Sequence, residues 1–438
     1  MTVREAALRL LCEYESSGKY VNLSLSSHIA DRFTKEERSF LTVLLYTSVE
    51  RKLTYDYYIS AIGKRSIDSV DMYTRNILRL GFCQILSLEA VPPFAAVNET
   101  VKLARNKGEA GFVNGILRAA LRLKENNSLP LPDREKSFHR YLSVRESFPL
   151  PLVRLLSEKF GDSETEQMLR AFNEKRTTTL TVNTLKISTE EYISLLEEAG
   201  FKPERSEISE RAVLLPESVS PKNLAGYEEG YFFVQDEACS ALAEALNASE
   251  GDEIVDTCSA PGGKAFAAAI FSGDRAKIHA FDIHESKLSL IESGAKRLGL
   301  SSVIAKQRDA TSPDGELFGK IDGVICDVPC SGLGVLGKKP DLRYKSIESI
   351  KDLPEIQYSI LSASKKYLKV GGRLVYSTCT LLDAENEAVV RRFLDENPDF
   401  APAEFEAGKM KSNNGMMTFL PHKTGTDGFF IALLERKR

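Results

Sequence analysis

The stretch Glu253-Ile-Val-Asp-Thr-Cys-Ser-Ala-Pro-Gly-Gly-Lys264 is a short apolar strand followed by a glycine-rich turn. A helix is predicted to start near Lys264, so the segment has the order strand, turn, helix. In a doubly wound sheet, the first turn of this kind lies at the carboxyl edge, where a ligand can approach the backbone and the helix N-terminus closely. The stretch therefore predicts a nucleotide-like cofactor at this turn.

Carboxylates at the ends of the following strands strengthen this prediction. The glycine spacing is neither Gly-x-Gly-x-x-Gly nor Gly-x4-Gly-Lys-Ser/Thr, so a dinucleotide or a triphosphate is not favoured. Asp282, Asp309 and Asp327 follow three successive predicted strands. A carboxylate after the second strand can accept hydrogen bonds from ribose hydroxyls, and one after the third can reach an adenine edge. We expect these residues to bind the cofactor together with the glycine-rich turn.

Beyond Gly230 the chain alternates between short apolar strands and helices. The predicted strands are Glu253–Asp256, Ile278–Asp282, Val303–Gln307, Gly323–Asp327, Arg373–Ser377 and Gly428–Leu434. This alternation predicts an α/β, Rossmann-like domain, in which helices cover both faces of a mostly parallel sheet. No crossover helix is evident after Asn413, so the last strand is expected to run antiparallel.

The chain before Gly230 predicts two further domains. Apolar residues recur at helical spacing in the first 125 or so residues; examples are Ala7, Leu8, Leu11, Tyr14, Ile77, Leu78, Leu80, Ile85 and Leu86. Polar residues and two prolines at 125–133 are typical of a linker. A mixed pattern then includes a helix at Leu152–Phe160, a strand at Thr178–Leu185 and a helix at Thr189–Ala199 closed by Gly200. We predict an all-α domain at 1–128, a small α+β module at 141–230 and the α/β domain at 231–438.

The composition is that of a multidomain globular protein. The chain has 438 residues, of which 42% are hydrophobic and 27% charged, and no apolar run approaches the length of a membrane span. We expect a cytoplasmic protein without membrane association. Seven cysteines without paired spacing predict free thiols in a reducing compartment. The net charge is −4, yet residues 1–150 carry 22 Lys and Arg against 17 Asp and Glu, a balance compatible with a polyanionic partner.

Two cysteines follow neighbouring predicted strands of the α/β domain. Cys330 follows the fourth strand and Cys379 the fifth, so both are expected to face one crevice at the carboxyl edge of the sheet. Asp383 is predicted to cap a helix at Ala384–Phe393, whose N-terminus would favour a thiolate at Cys379. A thiolate that adds to carbon 6 of a cytosine makes carbon 5 nucleophilic enough to take a methyl group. Cys330 and Asp327 are the candidates to assist the later loss of the carbon 5 proton.

The other cysteines are expected to be structural. Unpaired cysteine is among the most buried residue types and is usually inert, which is the interpretation we prefer for Cys12, Cys83, Cys239 and Cys326. Cys258, beside the glycine-rich turn, is expected to pack the turn and to offer backbone contacts to the cofactor. No metal site is expected, because the cysteines lack ligand spacing and the five histidines are dispersed.

These motifs resemble the NOL1/NOP2/Sun family of RNA cytosine-C5 methyltransferases, most closely its bacterial RsmB (Sun/Fmu) branch, which acts on 16S ribosomal RNA. The motifs that carry the resemblance are Asp256–Lys264, Asp327–Leu336 with Lys339–Arg343 behind it, Tyr376–Thr380, Asp427–Phe430, Leu180–Lys186 and Phe233–Glu237. The helical front end is similar to the NusB-type RNA-binding domain of that branch. The resemblance covers nearly the whole chain and is weakest before residue 140.

The resemblance implies a role for each site residue. Cys379 is the expected nucleophile, Cys330 assists product release, and Asp327 contacts the cytosine ring. S-adenosyl-L-methionine is the expected cofactor, without a metal. Its predicted binding residues are Cys258, Ser259, Ala260, Pro261, Gly262, Gly263, Lys264, Asp282, Asp309 and Asp327. The implied target is cytosine 967 of the small-subunit RNA, with no DNA substrate.

Some positions depart from the family pattern, and others are candidates for RNA contact. Ser259 and Ala265 replace the usual alanine and threonine of the turn, Thr181 replaces an arginine, and Cys239 replaces a serine. Because Thr181 stands in place of that arginine, one expected phosphate contact is in doubt. The basic candidates for phosphate contacts are Lys338, Lys339, Arg343 and Lys345. Carbon 6 is attacked from a face that stacking covers, so we expect an unpaired or hairpin-loop target.

Four other functions compete with this interpretation. An amino-group methyltransferase would place an aromatic residue after its Asp/Asn-Pro-Pro motif, and Asp327-Val-Pro-Cys330 has none. A DNA cytosine methyltransferase would use Cys330 as its nucleophile. The target could also lie in another RNA, such as tRNA. Finally, a non-catalytic RNA-binding assembly factor could retain the fold, in which case Cys379→Ala would leave its function intact.

Overall fold

The computed structural model describes residues 1–18, 32–174, 177–216 and 219–438. The chain forms two compact units, and each has its own apolar core. The first unit contains Met1–Asn173 and Lys339–Ile347, and the second contains Glu174–Lys338 and Glu348–Arg438. The limits predicted for three domains, at 1–128, 141–230 and 231–438, stay predictions.

The first unit is built from amphipathic helices. They span Val3–Ser17, Lys35–Glu50, Lys52–Gly63, Met72–Phe82, Pro93–Val101, Lys107–Glu125, Phe138–Arg145, Leu150–Phe160 and Asp162–Asn173. Residues that the helical spacing marked as apolar, such as Leu8, Leu11 and Ile77, are buried in the core of the unit. Their spacing places them on one face of each helix, and burial of that face supplies most of the stability of such a domain.

The segment Lys339–Ile347 is anchored in the first unit through Arg343. The Arg343 side chain is 1% exposed, and its guanidinium lies 3.9 Å from the centre of the Phe148 ring. One guanidinium nitrogen donates to the carbonyl oxygens of Glu50 and Ser147, at 3.2 Å each. A buried guanidinium occupied in this way is not available to an RNA phosphate, so the prediction that Arg343 contacts RNA is wrong.

A small antiparallel sheet opens the second unit. Its strands are Thr178–Val182 (β1), Glu204–Arg205 (β2), Ala212–Leu215 (β3) and Phe232–Val234 (β4), in the order β2-β3-β1-β4, with a helix at Thr189–Glu198. The helix ends before Gly200, whose φ is +87°, as predicted. β1 is shorter than predicted because Asn183 turns away, and its amide donates to the carbonyl oxygens of Gly230 and Leu298.

A larger mixed sheet forms the body of the second unit. Its strands are Glu253–Asp256 (β5), Lys277–Asp282 (β6), Val303–Gln307 (β7), Ile321–Asp327 (β8), Leu368–Thr378 (β9), Phe400–Pro402 (β10), Met416–Phe419 (β13) and Phe429–Arg436 (β14). The order is β10-β14-β9-β8-β5-β6-β7, with β13 paired to β14. The strands from β5 to β9 are parallel and β14 is antiparallel to β9, as predicted. The strand order reverses between β5 and β8, where ligands bind in sheets of this kind.

Helices cover both faces of the larger sheet. They span Glu237–Leu246, Gly263–Phe271, Glu285–Leu298, Leu353–Ser364 and Glu387–Glu396, with a short turn of helix at Pro421–Thr424 and a two-stranded ribbon at Glu406–Ala407 (β11) and Met410–Lys411 (β12). Two cores result, one on each face. Ile254 and Ala268 belong to the first, and Val255 and Leu361 to the second. In the described ranges, no helix combines the length and apolarity that crossing a bilayer requires.

Candidate active site

Cys330 and Cys379 lie side by side at the carboxyl edge of the larger sheet. Asp327 at the end of β8 is paired in register with Ser377 in β9, and each cysteine follows shortly after. Their Sγ atoms are 3.2 Å apart, and both residues are partly exposed. The prediction that both cysteines face one crevice rested on strand order alone, and the structure brings them into direct contact.

Asp327 lies beside this pair and is held from two directions. Its Oδ1 accepts a hydrogen bond from the Ser377 hydroxyl at 2.7 Å, and its Oδ2 lies 2.7 Å from Nζ of Lys264. Burial opposes the charge on Lys264, but Asp327 outweighs it and raises the pKa of the ammonium group. Lys264, predicted as part of the cofactor turn, thus also orients the carboxylate next to the cysteines.

A buried polar cluster lies behind the two cysteine loops. One carboxylate oxygen of Glu385 accepts hydrogen bonds from the backbone N–H of Ser331 at 2.8 Å and from the Gln357 amide at 2.9 Å. The Ser331 and Thr380 hydroxyls are 2.7 Å apart. All four side chains are at most 1% exposed. Ser331 follows Cys330 and Thr380 follows Cys379, so the cluster joins the two loops. Sequence reasoning missed it, because its members are far apart in the chain and carry no motif.

The predicted helix cap near Cys379 is wrong. Asp383 lies in a 3₁₀ turn at Asp383–Glu385, and the helix begins at Glu387 without a side-chain cap. Asn386, at the capping position, instead donates its amide to the carbonyl oxygen of Thr380. The loop after β9 uses its polar side chains to hold its own backbone, so the start of the helix lies further along the chain.

The environment of each cysteine decides how readily its thiol ionises. The contact with Cys379 and then burial raise the pKa of Cys330 well above its usual value. Burial raises the pKa of Cys83, Cys239 and Cys326 to about 12, and it also raises the pKa of Cys12 and Cys258. Thiols of this kind are unreactive at neutral pH, as expected for cysteines that pack in a core.

The glycine-rich turn has the backbone geometry that a close ligand requires. Gly262 has a φ of +113°, and a Cβ there would lie 2.4 Å from the Phe266 ring, so no other residue fits. The helix Gly263–Phe271 starts directly after the turn, and no side chain caps it. The first N–H groups of such a helix have no intrahelical partner and can donate to a ligand. Ala265, a departure from the family pattern, is fully buried in this helix.

Buried oxygens near the turn are incompletely satisfied by the protein. In the described part of the chain, no group meets full hydrogen-bond geometry with either carboxylate oxygen of Asp256 or with the Ser259 hydroxyl, although Ser259 and the Cys258 N–H lie near enough to lower the pKa of Asp256. Asp256 is fully buried, and this burial raises its pKa to about 7. Native structures rarely leave buried polar groups unpaired, so these oxygens fit a site that a polar cofactor completes.

The other two predicted cofactor carboxylates lie at the ends of β6 and β7. Asp282 is 6% exposed and accepts a hydrogen bond from the His284 N–H at 2.9 Å. Asp309 is exposed, and one of its oxygens accepts from the N–H and hydroxyl groups of Thr311 at 2.8 and 2.7 Å. Each bonds within its own loop and retains lone pairs for a ligand.

Two residues considered for RNA contact have other partners. The Lys338 ammonium lies 2.6 Å from Asp427 and 2.9 Å from Asp236, which ties the Cys330 loop to the starts of β14 and of the helix Glu237–Leu246. Thr181 is fully buried in β1, and its hydroxyl lies 2.9 Å from that of Ser240. The ion pairs of Lys338 do not test its predicted phosphate contact, which stays a prediction. Within the described ranges, no group of three or more His, Cys, Asp or Glu side chains could hold a metal ion.

Comparison with known families matches each part of the chain. The profile of the 16S rRNA methyltransferase RsmB/F family matches residues 243–435, the NusB family matches residues 1–122, and the Methyltr_RsmF/B-like, ferredoxin-like domain matches residues 148–221. These matches confirm the predicted fold class, with an all-α NusB-like domain, a small α+β module and an α/β methyltransferase domain.

Relatives that match over their full length are also named as ribosomal RNA methyltransferases. The chain is 33% identical to the probable ribosomal RNA small subunit methyltransferase B of Bacillus subtilis strain 168, over 100% of this chain and 99% of the relative. It is 35% identical to the protein of the same name from Synechocystis, over the full length of both. The crystal structure of PH0851 covers 100% of this chain and 99% of its own, at 25% identity and a TM-score of 0.79.

These findings confirm the resemblance on which the predictions rested. The family consists of S-adenosylmethionine-dependent enzymes, and the relatives are named for the methylation of ribosomal RNA. The predicted enzyme class, an RNA methyltransferase, is confirmed as well. The chain belongs to the 16S rRNA methyltransferase RsmB/F family and is a ribosomal RNA methyltransferase.

Proposed function

We propose that this enzyme methylates carbon 5 of a cytosine in 16S rRNA through a covalent bond between Cys379 and carbon 6. The 3.2 Å contact between Cys330 and Cys379, beside Asp327, is the observation that supports this chemistry most directly. Two thiols at one crevice can divide the work, because one forms the bond to the ring while the other assists its release. A methyltransferase that acts on an amino group or on a ribose hydroxyl needs neither thiol.

Cys379 begins the reaction as a thiolate. Addition of its sulfur to carbon 6 moves electron density onto carbon 5, which becomes an enamine-like nucleophile. S-adenosyl-L-methionine supplies an electrophilic methyl group when it is bound. Carbon 5 then carries both a proton and a methyl group. Loss of the methyl group converts the donor to S-adenosyl-L-homocysteine. The carbon 5 proton then passes to a base, for which Asp327 or Cys330, once Cys330 has given up its own proton, is the candidate. The carbon–sulfur bond breaks, and Cys379 returns as a thiolate.

Asp327 and Cys330 are proposed to act on the cytosine ring while it is bound to Cys379. Asp327 is oriented by Lys264 and Ser377, so its free lone pairs can accept a hydrogen bond from the cytosine. Cys330 is close enough to Cys379 to act on the same face of the adduct and to assist the loss of the carbon 5 proton. Removal of Cys330 is therefore expected to lengthen the lifetime of the adduct, and not to prevent its formation.

We assign the methyl donor to the carboxyl ends of β5, β6 and β7. The residues proposed to hold it are Cys258, Ser259, Ala260, Pro261, Gly262, Gly263, Lys264, Asp282, Asp309 and Asp327. The buried oxygens of Asp256 and Ser259 support this assignment, because no protein group meets full hydrogen-bond geometry with them and a polar ligand would complete their hydrogen bonding. The uncapped start of the helix Gly263–Phe271 offers further donors to a carboxylate on the ligand.

We propose a target in an unpaired or hairpin-loop part of 16S rRNA, at cytosine 967 by the family resemblance. Attack on carbon 6 requires an open face of the ring, which a stacked helix does not offer. The NusB-like part, proposed at 1–128, and the small module, proposed at 141–230, would hold the RNA, while the part at 231–438 performs the chemistry. Lys338, Lys339 and Lys345 stay candidates for phosphate contacts.

Trapping on RNA that contains 5-azacytosine tests the chemistry. The nitrogen at position 5 blocks the final elimination, so the attacking sulfur stays bound to the ring, and peptide mapping identifies it. We expect the adduct on Cys379 in the wild type and in Cys330→Ala, and no adduct in Cys379→Ala. An adduct on Cys330 in the wild type would contradict the assignment of the nucleophile, and a complete absence of adducts would contradict the covalent mechanism.

Bisulfite sequencing tests the target. Ribosomal RNA from cells with and without the gene should differ at one methylcytosine of the small-subunit RNA, and the purified enzyme should restore it. A difference confined to tRNA would contradict the proposed substrate and leave the chemistry intact. Identical methylation in both strains would favour an assembly factor over an enzyme of this specificity.

A further inference from the structure

We infer that Glu385 is a positioning residue that keeps the shared proton of the cysteine pair on Cys330 and leaves the negative charge on Cys379. This inference rests on the proposed function, because it concerns which of two adjacent sulfurs attacks the cytosine. The two Sγ atoms are 3.2 Å apart and have the same intrinsic chemistry. Something in their surroundings must therefore decide between them.

The contacts of Glu385 are asymmetric toward the Cys330 loop. Its Oε2 accepts from the backbone N–H of Ser331, the residue after Cys330, at 2.8 Å. Its Oε1 lies 3.4 Å from the Thr380 hydroxyl, the corresponding neighbour of Cys379. Gln357 strengthens the Cys330 side, because its amide donates both to Glu385 at 2.9 Å and to the carbonyl oxygen of Pro329 at 3.0 Å.

The charge of Glu385 acts at short range in a dry environment. Glu385 is 1% exposed, and both donors to its Oε2 are N–H groups, which favour a negatively charged acceptor. A negative charge in such a place is poorly screened and disfavours a second negative charge nearby. The carboxylate therefore opposes a thiolate at Cys330, in addition to fixing the loop that carries it.

The other groups that face Cys330 do not oppose this effect. They are the Cys379 thiol, Asp327 and the buried Tyr376, whose hydroxyl donates to the carbonyl oxygen of Glu385. Asp327 is paired with Lys264, which offsets most of its charge. The groups that influence Cys330 most are Cys379, Glu385 and Asp327, none of which carries a positive charge. The donors to the Glu385 carboxylate, by contrast, are the neutral N–H groups of Ser331 and Gln357 and the Thr380 hydroxyl.

The consequence for the reaction is a division of labour between the two sulfurs. When the pair has lost one proton, the remaining proton lies on Cys330 and can be shared with the Cys379 thiolate. Cys379 is then the sulfur that adds to carbon 6. Without the charge of Glu385, the two sulfurs become more nearly equivalent, and part of the negative charge moves to Cys330.

Site-resolved alkylation of the full-length protein tests this inference without RNA. Iodoacetamide reacts with a thiolate, forming a carbon–sulfur bond and releasing iodide, so the early rate at each cysteine reports its thiolate fraction. Peptide mapping across a pH series gives the rates at Cys330 and Cys379 separately. We expect Glu385→Gln to raise the ratio of Cys330 to Cys379 alkylation about tenfold at neutral pH, since removal of a close like charge changes a pKa by about one unit.

Glu385→Asp separates charge from shape. It keeps the charge but shortens the side chain, so a charge effect predicts a ratio near that of the wild type. A purely structural role predicts that Glu385→Asp disturbs the ratio as much as Glu385→Gln, and that outcome overturns the inference. So does an unchanged ratio in Glu385→Gln. Glu396→Gln removes an exposed carboxylate paired with Arg392 and serves as the matched control, for which no change is expected.

The 5-azacytosine assay distinguishes failure of the inference from failure of the proposed function. If the wild type is trapped through Cys379 while Glu385→Gln leaves the alkylation ratio unchanged, only the inference fails. If the wild type is trapped through Cys330, the proposed nucleophile is wrong, whatever the alkylation shows. The inference predicts that Glu385→Gln, with a melting temperature and circular dichroism that show a folded protein, divides its adduct between both cysteines.

Discussion

The two halves of the active-site edge differ in how their polar groups are satisfied. At the ends of β8 and β9, the side chains bind one another: Asp327 is paired with Lys264, and Glu385 joins the two cysteine loops. At the end of β5, the oxygens of Asp256 and Ser259 have no partner with full hydrogen-bond geometry among the described residues. In the first half the carboxylates of Asp327 and Glu385 are occupied by protein donors, and in the second a buried carboxylate keeps unused hydrogen-bonding capacity.

This difference matches the two tasks of a methyltransferase that forms a covalent adduct. Catalytic groups must be held within a fraction of an ångström before the substrate arrives, and mutual hydrogen bonds provide this. A site for a ligand that enters and leaves in every turnover needs donors and acceptors that the protein itself does not use. We therefore expect substitutions in the β8–β9 half to affect the rate, and those in the β5–β7 half to affect cofactor affinity.

Cys379→Ala, in the β8–β9 half, is expected to have the largest effect. The proposed mechanism predicts a loss of turnover of at least about 10⁴-fold, because no other group supplies the bond to carbon 6. RNA affinity is expected to be unchanged, since the thiol contributes little to binding. Methyl transfer from labelled donor, together with a filter-binding assay, measures both quantities. Normal turnover in this variant would contradict the proposed chemistry, whereas normal turnover in Cys83→Ala is expected.

Gly334→Ala should misalign the two loops without removing a functional group. Gly334 donates its N–H to the carbonyl oxygen of Cys379 and accepts from the N–H of Gly428, at 2.8 Å each. A Cβ at this position would lie 1.8 Å from the Gly428 oxygen, so the loops must separate. We expect kcat to fall about 100-fold, the usual cost of a displacement of about 1 Å.

The control for this prediction is Gly315→Ala. A Cβ there would approach only the Phe318 ring, at 4.0 Å, so kcat should stay near that of the wild type. Thermal unfolding of both variants verifies that they are folded. Equal kcat values for Gly334→Ala and Gly315→Ala would show that close packing of the two loops is unnecessary for catalysis.

Asp282→Ala probes the half that a ligand completes. Loss of a carboxylate that accepts hydrogen bonds from a bound cofactor should raise the Kd for S-adenosylmethionine about tenfold to 100-fold. The kcat at saturating cofactor should change much less. Isothermal titration calorimetry and kinetics with varied cofactor separate the two effects, with Asp395→Ala as the exposed control. A fall in kcat with an unchanged Kd would contradict the proposed division between the halves.

Asp256→Asn tests the unpaired carboxyl through the pH dependence of stability. Burial raises the pKa of Asp256 to about 7 in the folded state, above its value in the unfolded chain. Between about pH 4 and 7 the folded protein holds a proton that the unfolded chain has lost, so this group makes stability fall as pH rises. The fall amounts to about 1.4 kcal/mol for each pH unit in that window.

Asparagine cannot ionise, so the stability of Asp256→Asn should not decrease with rising pH on account of this residue. The free energy of unfolding is measured for both proteins at pH 5 and at pH 8. We expect the variant to gain stability relative to the wild type as the pH rises. The effect should shrink when S-adenosylmethionine is added, if the ligand supplies partners for the carboxylate. Parallel pH profiles without ligand would mean that Asp256 titrates normally.

Much of the α/β domain was predictable from sequence, because parallel strands buried on both faces are nearly continuous apolar runs. β5 and β7 were predicted to the residue, and the antiparallel direction of β14 followed from the missing crossover helix. The proposed site residues stay predictions, but their common location at one edge of the sheet followed from strand order, since all carboxyl ends of a parallel sheet lie at one edge. Strand order, however, does not give a distance, and the contact between the two cysteines required the structure.

The failed predictions share a physical cause. Arg343 is a basic residue in a glycine-rich stretch, which a sequence shows only as charge, yet its partners at Glu50 and Ser147 lie far away in the chain. The helix start near Asp383 failed because Asn386 bonds to Thr380 and does not cap the helix. Local propensity favours a cap or a surface charge only until a tertiary partner offers a better hydrogen bond.

Sequence alone thus determined the class of fold, the edge of the sheet proposed to carry the chemistry and the residue types available there, because hydrophobic periodicity and turn chemistry are local properties. The tertiary structure decided which of those residues touch. The pairing of Cys330 with Cys379 and the asymmetric contact of Glu385 depend on atoms brought together from loops about 50 residues apart. Side-chain interactions act over only a few ångströms, so the distances on which the chemistry depends exist only in the folded chain.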